Sequence, residues 1–278
     1  MMSFNDRLLQ IIDDKNSLLC VGLDTVLERI PAKIRNEPEP LFAFNKAIID
    51  ATIEYAAAYK LNSAFYEAHG AAGWQAMQKT FAYLPDDVIK IADAKRGDIG
   101  NTAALYARAF FDQLQADALT VNPYLGSDAV QPFLQNPEKG VFLLCLTSNP
   151  GSRDIQYFSD GQQLLYEKIA ALINTWNSSN NCGLVAGATH PDELLKIRAR
   201  APQLPFLIPG IGAQGGDLLN SVLNGTDANG SNALFNSSRA ILYASSGDDF
   251  ARAARKEAEK TRLQLNEARE IKRKKTEH

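Results

Sequence analysis

Eight short apolar, β-prone bursts recur along this 278-residue chain, with helical segments between them. They fall at residues 18–23, 55–61, 88–92, 118–121, 141–146, 183–186, 206–208 and 233–235. Most are too continuously apolar for an antiparallel sheet with one wet face, so they read as parallel strands covered on both sides. Between them, residues 41–58 and 163–176 carry apolar side chains at helical spacing. Another helix opens at His190-Pro191-Asp192-Glu193, with proline in its first turn and acids where the helix dipole favours them. About eight strand–helix alternations in roughly 250 residues predict a closed (β/α)8 barrel as one domain. Residues 249–278 read as a helical, charged C-terminal extension, its basic cluster Lys272-Arg273-Lys274-Lys275 a solvated tail.

Composition removes several function classes. A net charge of −3 gives no basic field for nucleic acid. No apolar run reaches the ~20 residues a membrane helix needs, and the N-terminus lacks a secretory pattern, so a cytoplasmic protein is expected. Cys20, Cys145 and Cys182 form no close-spaced pair and read as reduced core residues. The three histidines, His69, His190 and His278, show no metal-ligand spacing, so no metal is expected.

A barrel of this kind carries its chemistry at the C-terminal ends of its strands. Reading those ends in order gives Asp24 after the first strand, Lys60 and Asn62 at the second, and Asp93-Ala94-Lys95 at the third. Asp93 and Lys95, two apart on a strand, are expected on one face, and Asp98 follows a short turn later. Alone, Asp24 or Asp98 reads as a helix cap, Lys60 as a surface lysine and Ser148 as a turn residue. Together at one end of one barrel, charges of alternating sign satisfy each other only as a packed network. After the seventh strand, Gly210, Gly212, Gly215 and Gly216 let backbone amides face an anion, and Arg239 after the eighth can supply a phosphate fork.

The stretch Asp93-Ala94-Lys95-Arg96-Gly97-Asp98-Ile99-Gly100-Asn101-Thr102 resembles the D-x-K-x-x-D-I core of the orotidine 5′-monophosphate decarboxylase family, in its longer-chain subfamily. Gly22-Leu23-Asp24, residues 60–67, Ser148-Asn149-Pro150-Gly151, the loop 209–217 and Arg239 match in the same order. The resemblance implies conversion of orotidine 5′-monophosphate (OMP) to UMP and CO2, the last step of de novo pyrimidine synthesis, with no metal and no cofactor. It implies a homodimer with shared active sites. By position, Lys95 would protonate C6, Asp93 would lie beside the substrate carboxylate, and Lys60 and Asp24 would serve the ribose, with Asn62 assisting. Ser148 would meet the pyrimidine, and Gln214 and Arg239 the phosphate. Asp98 and Thr102 would reach into the neighbouring subunit's site. Two departures stand out: Leu61 where proline is commoner, and Asn236-Ser237-Ser238-Arg239 where shorter members pair glycine with arginine.

Three other readings compete. A magnesium-dependent sugar-phosphate decarboxylase shares the third-strand motif but would not be expected to carry Lys60. A Schiff-base aldolase would need a neutral lysine, which flanking acids oppose. A silent phosphate-binding barrel would have no use for the Asp93, Lys95 and Asp98 cluster.

Overall fold

The computed structural model describes residues 2–189, 191–211 and 217–276. Gln214, His190, Gly212, Gly215, Gly216 and His278, all singled out from sequence, lie outside the described residues.

Eight parallel strands close into a barrel in sequence order. They are β1 (Leu19–Gly22), β2 (Ala58–Asn62), β3 (Ile89–Arg96), β4 (Ala118–Val121), β5 (Gly140–Leu146), β6 (Cys182–Ala186), β7 (Phe206–Pro209) and β8 (Ala233–Ser237). The ring shuts between β8 and β1, where Leu19 pairs with Phe235 and Cys20 with Asn236. All eight expected bursts became strands. All but β3 are almost wholly buried, because the barrel interior takes one face and the outer helices take the other; β3 runs out into the open C-terminal mouth at residues 94–96.

The expected helix over 41–58 stops early, at Pro40–Thr52. The ladder sets this limit: the Ala57 amide already donates to the Leu19 carbonyl, so residues 53–56 must reverse the chain. Ahead of β1, the helix Phe4–Lys15 is capped by the Ser3 hydroxyl, which accepts from the Asp6 amide, and ends at left-handed Asn16. It packs Phe4 edge-on against Phe142, 5.9 Å between ring centres. A side chain at Gly140 would collide with the Phe4 ring, so glycine makes room for this plug at the start of β5.

The charged C-terminal segment forms one helix, Phe250–Thr276, packed against the helices Pro40–Thr52 and Leu218–Gly225. It occupies the eighth outer position of the barrel. Only half of the basic cluster is a solvated tail: Lys274 and Lys275 are exposed, whereas Lys272 donates to the Leu223 carbonyl at 2.7 Å and Arg273 to that of Asn229 at 2.8 Å. Buried Arg269 donates to the Gly230 carbonyl at 2.9 Å. Unpaired carbonyls at loop and helix ends draw these cations in. All three cysteines are buried and unbonded.

Arg198 ties the lower wall together. Buried without an ion-pair partner among the described residues, its guanidinium donates to the carbonyls of Ala201, Pro202, Leu204, Gly225 and Asn232. It also lies 3.6 Å over the Phe206 ring. Burial pushes this group down to about 9, still protonated at neutral pH. Arg198→Leu strips several buried carbonyls of their donor, so it should cost about 3 kcal/mol or more. Thermal melting should then fall by roughly 10 °C; an unchanged melt would mean that the clasp carries no net stability.

Candidate active site

The C-terminal ends of the strands surround a cavity of about 670 Å³. Asp24, Lys60, Asn62, Asp93 and Lys95 line one side, with Ser148 and Arg239 also on its wall. Seven of the ten residues to which the resemblance gives a role therefore meet in one place. Gln214 lies outside the described residues. Asp98 and Thr102 do not line the cavity of their own chain.

Lys60 is the buried centre of the charged network. Its ammonium lies 3.1 Å from Asp93 Oδ2 and 3.4 Å from Asp24 Oδ1. Lys95 Nζ donates to the other Asp93 oxygen at 2.7 Å. The two lysines differ in access: the side chain of Lys60 is 5% exposed and that of Lys95 46%. Lys60 is thus a fixed internal charge, while Lys95 can meet a ligand.

Burial alone would raise the Asp93 carboxyl; the ammoniums of Lys60 and Lys95 and the Thr120 hydroxyl outweigh it and hold Asp93 well below the usual carboxylate range. Burial alone would depress Lys60; the carboxylates of Asp24 and Asp93 prevail and push it above the ordinary lysine value. The signs fix a pH window. A depressed Asp93 stabilises the fold above its unfolded value near 3.9, and this is lost as pH falls through the folded value. A raised Lys60 stabilises it below about 10.4, and this is lost as pH rises through the folded value. From this network the melting temperature should be flat between about pH 5 and 9. Asp93→Asn should show a shallower acid-side decline than wild type in melts from pH 3 to 7, and an identical decline would contradict the assignment.

The sequence expectation that Asp93 and Lys95 share a face is met by a different backbone. Between Ala92 and Arg96 the register of β3 against β4 shifts in a bulge. Lys95 itself is left-handed, with φ of 47°. Such a conformation costs a non-glycine residue about 1–2 kcal/mol and persists only where surroundings enforce it. Thr120 on β4 enforces it: its Oγ1 accepts from the Lys95 amide at 2.9 Å and donates to Asp93 Oδ1 at 2.9 Å. Thr120 escaped the sequence reading; its signal was a lone hydroxyl inside the apolar run of β4.

Arg96 fastens the outer side of the same bulge, paired with Glu67 and lying 5.2 Å over the Phe110 ring. Asp98 does not cap the helix Gly100–Arg108; it accepts from the Ile99 amide, and Thr102 is exposed on that helix. Asn62 accepts from the Ala64 amide at 3.1 Å, closing the turn after β2. Beside Ser148, Gln156 pins the loop after β5 through the amide and hydroxyl of Thr147, both at 2.8 Å. Arg239 is exposed and has no carboxylate partner among the described residues, leaving its guanidinium available to an anion. Near it, Gly210 turns the chain out of β7 with φ of 102°.

A network of alternating charges on neighbouring strand ends of a (β/α)8 barrel, open to a ligand through one half-exposed lysine, defines an enzyme of the barrel class with its active site at the C-terminal face. Residues 17–256 match the family model described as Orotidine 5'-phosphate decarboxylase / HUMPS family. The chain belongs to that family and is a carboxy-lyase. It is 48% identical over 272 residues to the orotidine 5'-phosphate decarboxylase of Dehalococcoides mccartyi strain CBDB1, covering 96% of this chain and 99% of that protein. With the enzyme of Herpetosiphon aurantiacus it shares 50% identity over 245 residues, 87% of this chain and 90% of that one. The solved Leishmania donovani OMP decarboxylase superposes with a TM-score of 0.85 at 42% identity, covering 96% of this chain and 99% of that one.

Proposed function

We propose that this protein decarboxylates OMP to UMP and CO2 in pyrimidine synthesis, using neither metal nor organic cofactor, with Lys95 as the proton donor to C6. In this reading the bond from C6 to the carboxylate breaks and its electron pair stays on C6. CO2 departs, and an N–H of the Lys95 ammonium delivers the proton. Solvent then returns a proton to Lys95. The pyrimidine cannot spread that charge well, so a cation fixed beside C6 supplies the main stabilisation. The observation that carries the proposal is the ionised Asp93 clamped between two ammoniums, one buried and one facing the cavity.

Asp93 lies beside the substrate carboxylate and holds Lys95, and Lys60 orients Asp93 and serves the ribose. Asp24 takes the ribose hydroxyls with Asn62 nearby, Ser148 the pyrimidine, and Arg239 with Gln214 the phosphate. Phosphate binding, remote from C6, can hold the ring in place for reaction. The family also contains sugar-phosphate chemistry, for which a magnesium site at strand ends would be required. Lys60 argues against that here: its ammonium already occupies the space between Asp24 and Asp93. Among the described residues, no three His, Cys, Asp or Glu side chains converge as metal ligands.

The proposed assembly is a homodimer in which Asp98 and Thr102 complete the partner's site. Exposed Ile99, Leu105, Tyr124 and Leu125, on the segments following β3 and β4, supply an apolar surface for it. Mixing Lys95→Ala with Asp98→Ala subunits should then restore activity that neither has alone. With random pairing the mixture should reach about a quarter of the wild-type rate, since half the dimers carry one intact site of two. No recovery would mean that Asp98 does not act across the interface. Among the described residues no helix is long and apolar enough to cross a membrane, and the proposed location is the cytoplasm.

A further inference from the structure

We propose that Ser238 is a positioning residue for this reaction: its hydroxyl closes a directed chain of hydrogen bonds that crosses the β8–β1 seam and aims the Asp24 carboxylate at the ligand cavity. The inference rests on the OMP reading above, and it concerns a residue that reading does not use.

The chain has a definite direction. The Cys20 thiol, on β1, donates to Asn236 Oδ1 at 3.5 Å, fixing which way the amide faces. Asn236 Nδ2 donates to Ser238 Oγ at 3.2 Å. With one lone pair engaged, the Ser238 hydroxyl sends its proton to Asp24 Oδ2 at 2.8 Å. Burial pushes the Cys20 thiol up to about 12, so it remains a donor throughout the working range of pH. Asn236 is buried, and Ser238 and Asp24 line the cavity.

Asp24 is therefore held at both oxygens, by Ser238 on one side and by Lys60 on the other at 3.4 Å. Of the two, the serine contact is short and charge-assisted, and the lysine contact is long. Without the hydroxyl, the carboxylate is free to turn onto Lys60. That motion would withdraw it from the ribose and weaken the hold of Lys60 on Asp93. The sequence accommodates this contact at a second place. A methyl at Gly22 would sit 1.8 Å from Ser238 Oγ, so only glycine lets the hydroxyl reach across the seam. Ser238 thus couples the start of the Arg239 segment to the ribose-side acid Asp24.

The test is steady-state kinetics on OMP with Ser238→Ala made in wild type and in Asp24→Asn, alongside Gly22→Ala. One hydrogen bond to a charged group corresponds to a fall in kcat/KM of roughly ten- to a hundredfold in Ser238→Ala. The loss should fall more on KM than on kcat, because Asp24 touches ribose and not C6. In the Asp24→Asn background the same change should move kcat/KM by less than about twofold, the non-additivity of partners in contact. Gly22→Ala should lower kcat/KM at least as far as Ser238→Ala, because its methyl would displace the Ser238 hydroxyl and also press on Asn236 Oδ1; wild-type kcat/KM in Gly22→Ala would overturn the contact across the seam. Ser238→Ala at the wild-type rate, or a penalty equally large without the Asp24 charge, overturns the positioning role alone. Wild-type protein that does not turn over OMP overturns the functional reading and this inference with it.

Discussion

Lys95→Ala should lose OMP turnover by at least about three orders of magnitude, because the change removes both a preorganised charge and a general acid. Its melting temperature should stay within a few degrees of wild type. The lysine side chain is 46% exposed and its partner Asp93 keeps Lys60 and Thr120, so little of the fold depends on it. Replacing Lys95 with alanine also leaves the left-handed backbone in place, since Thr120 grips the amide and not the side chain. Kinetics and a melt on the same preparation separate the two effects. Turnover near the wild-type rate would remove Lys95 from the chemistry, and a collapsed melt would make it structural.

Lys60→Met should damage both activity and stability, because Lys60 is buried and touches two acids. Removing it leaves Asp24 and Asp93 without the ammonium between them, a situation worth about 3–5 kcal/mol of lost stability. Turnover should drop by about two to three orders of magnitude, since Asp93 and Asp24 both lose their orientation. The pH response gives the sharper check. Lys60 is the strongest influence holding the Asp93 carboxyl down against burial, so in the variant that carboxyl rises. Protonating it then relieves the uncompensated charge, and the stability deficit should shrink as pH falls below about 5. A deficit that is constant from neutral pH to pH 4 would mean that the two acids do not depend on Lys60.

The barrel was legible because parallel strands buried on both faces leave continuous apolar bursts, such as 141–146 and 206–208, at a regular spacing. The site was legible wherever one residue at a strand end carried the signal: Asp24, Lys60, Asp93, Lys95, Ser148 and Arg239 all line the one cavity. What escaped were contacts between residues far apart in sequence. Thr120 looks like an ordinary strand residue until β3 bulges against it, and no local pattern marks a lysine with positive φ. The Ser238–Asp24 contact joins positions 214 residues apart, and only closure of the barrel creates it. The first half of the basic cluster at the C-terminus misled for the same reason, while Lys274 and Lys275 are exposed as expected. Its composition suits a solvated helix, whereas the carbonyls of Leu223 and Asn229 that receive Lys272 and Arg273 are supplied by the packed wall.

Decarboxylation of OMP at this cavity by protein groups alone can be followed without any variant. The most direct measurement is the loss of OMP absorbance with purified wild-type protein, with no metal added and excess EDTA present. Full turnover is expected, unchanged by the chelator, with UMP and CO2 formed in equal amounts. Absence of turnover, or turnover that EDTA abolishes and magnesium restores, would contradict it.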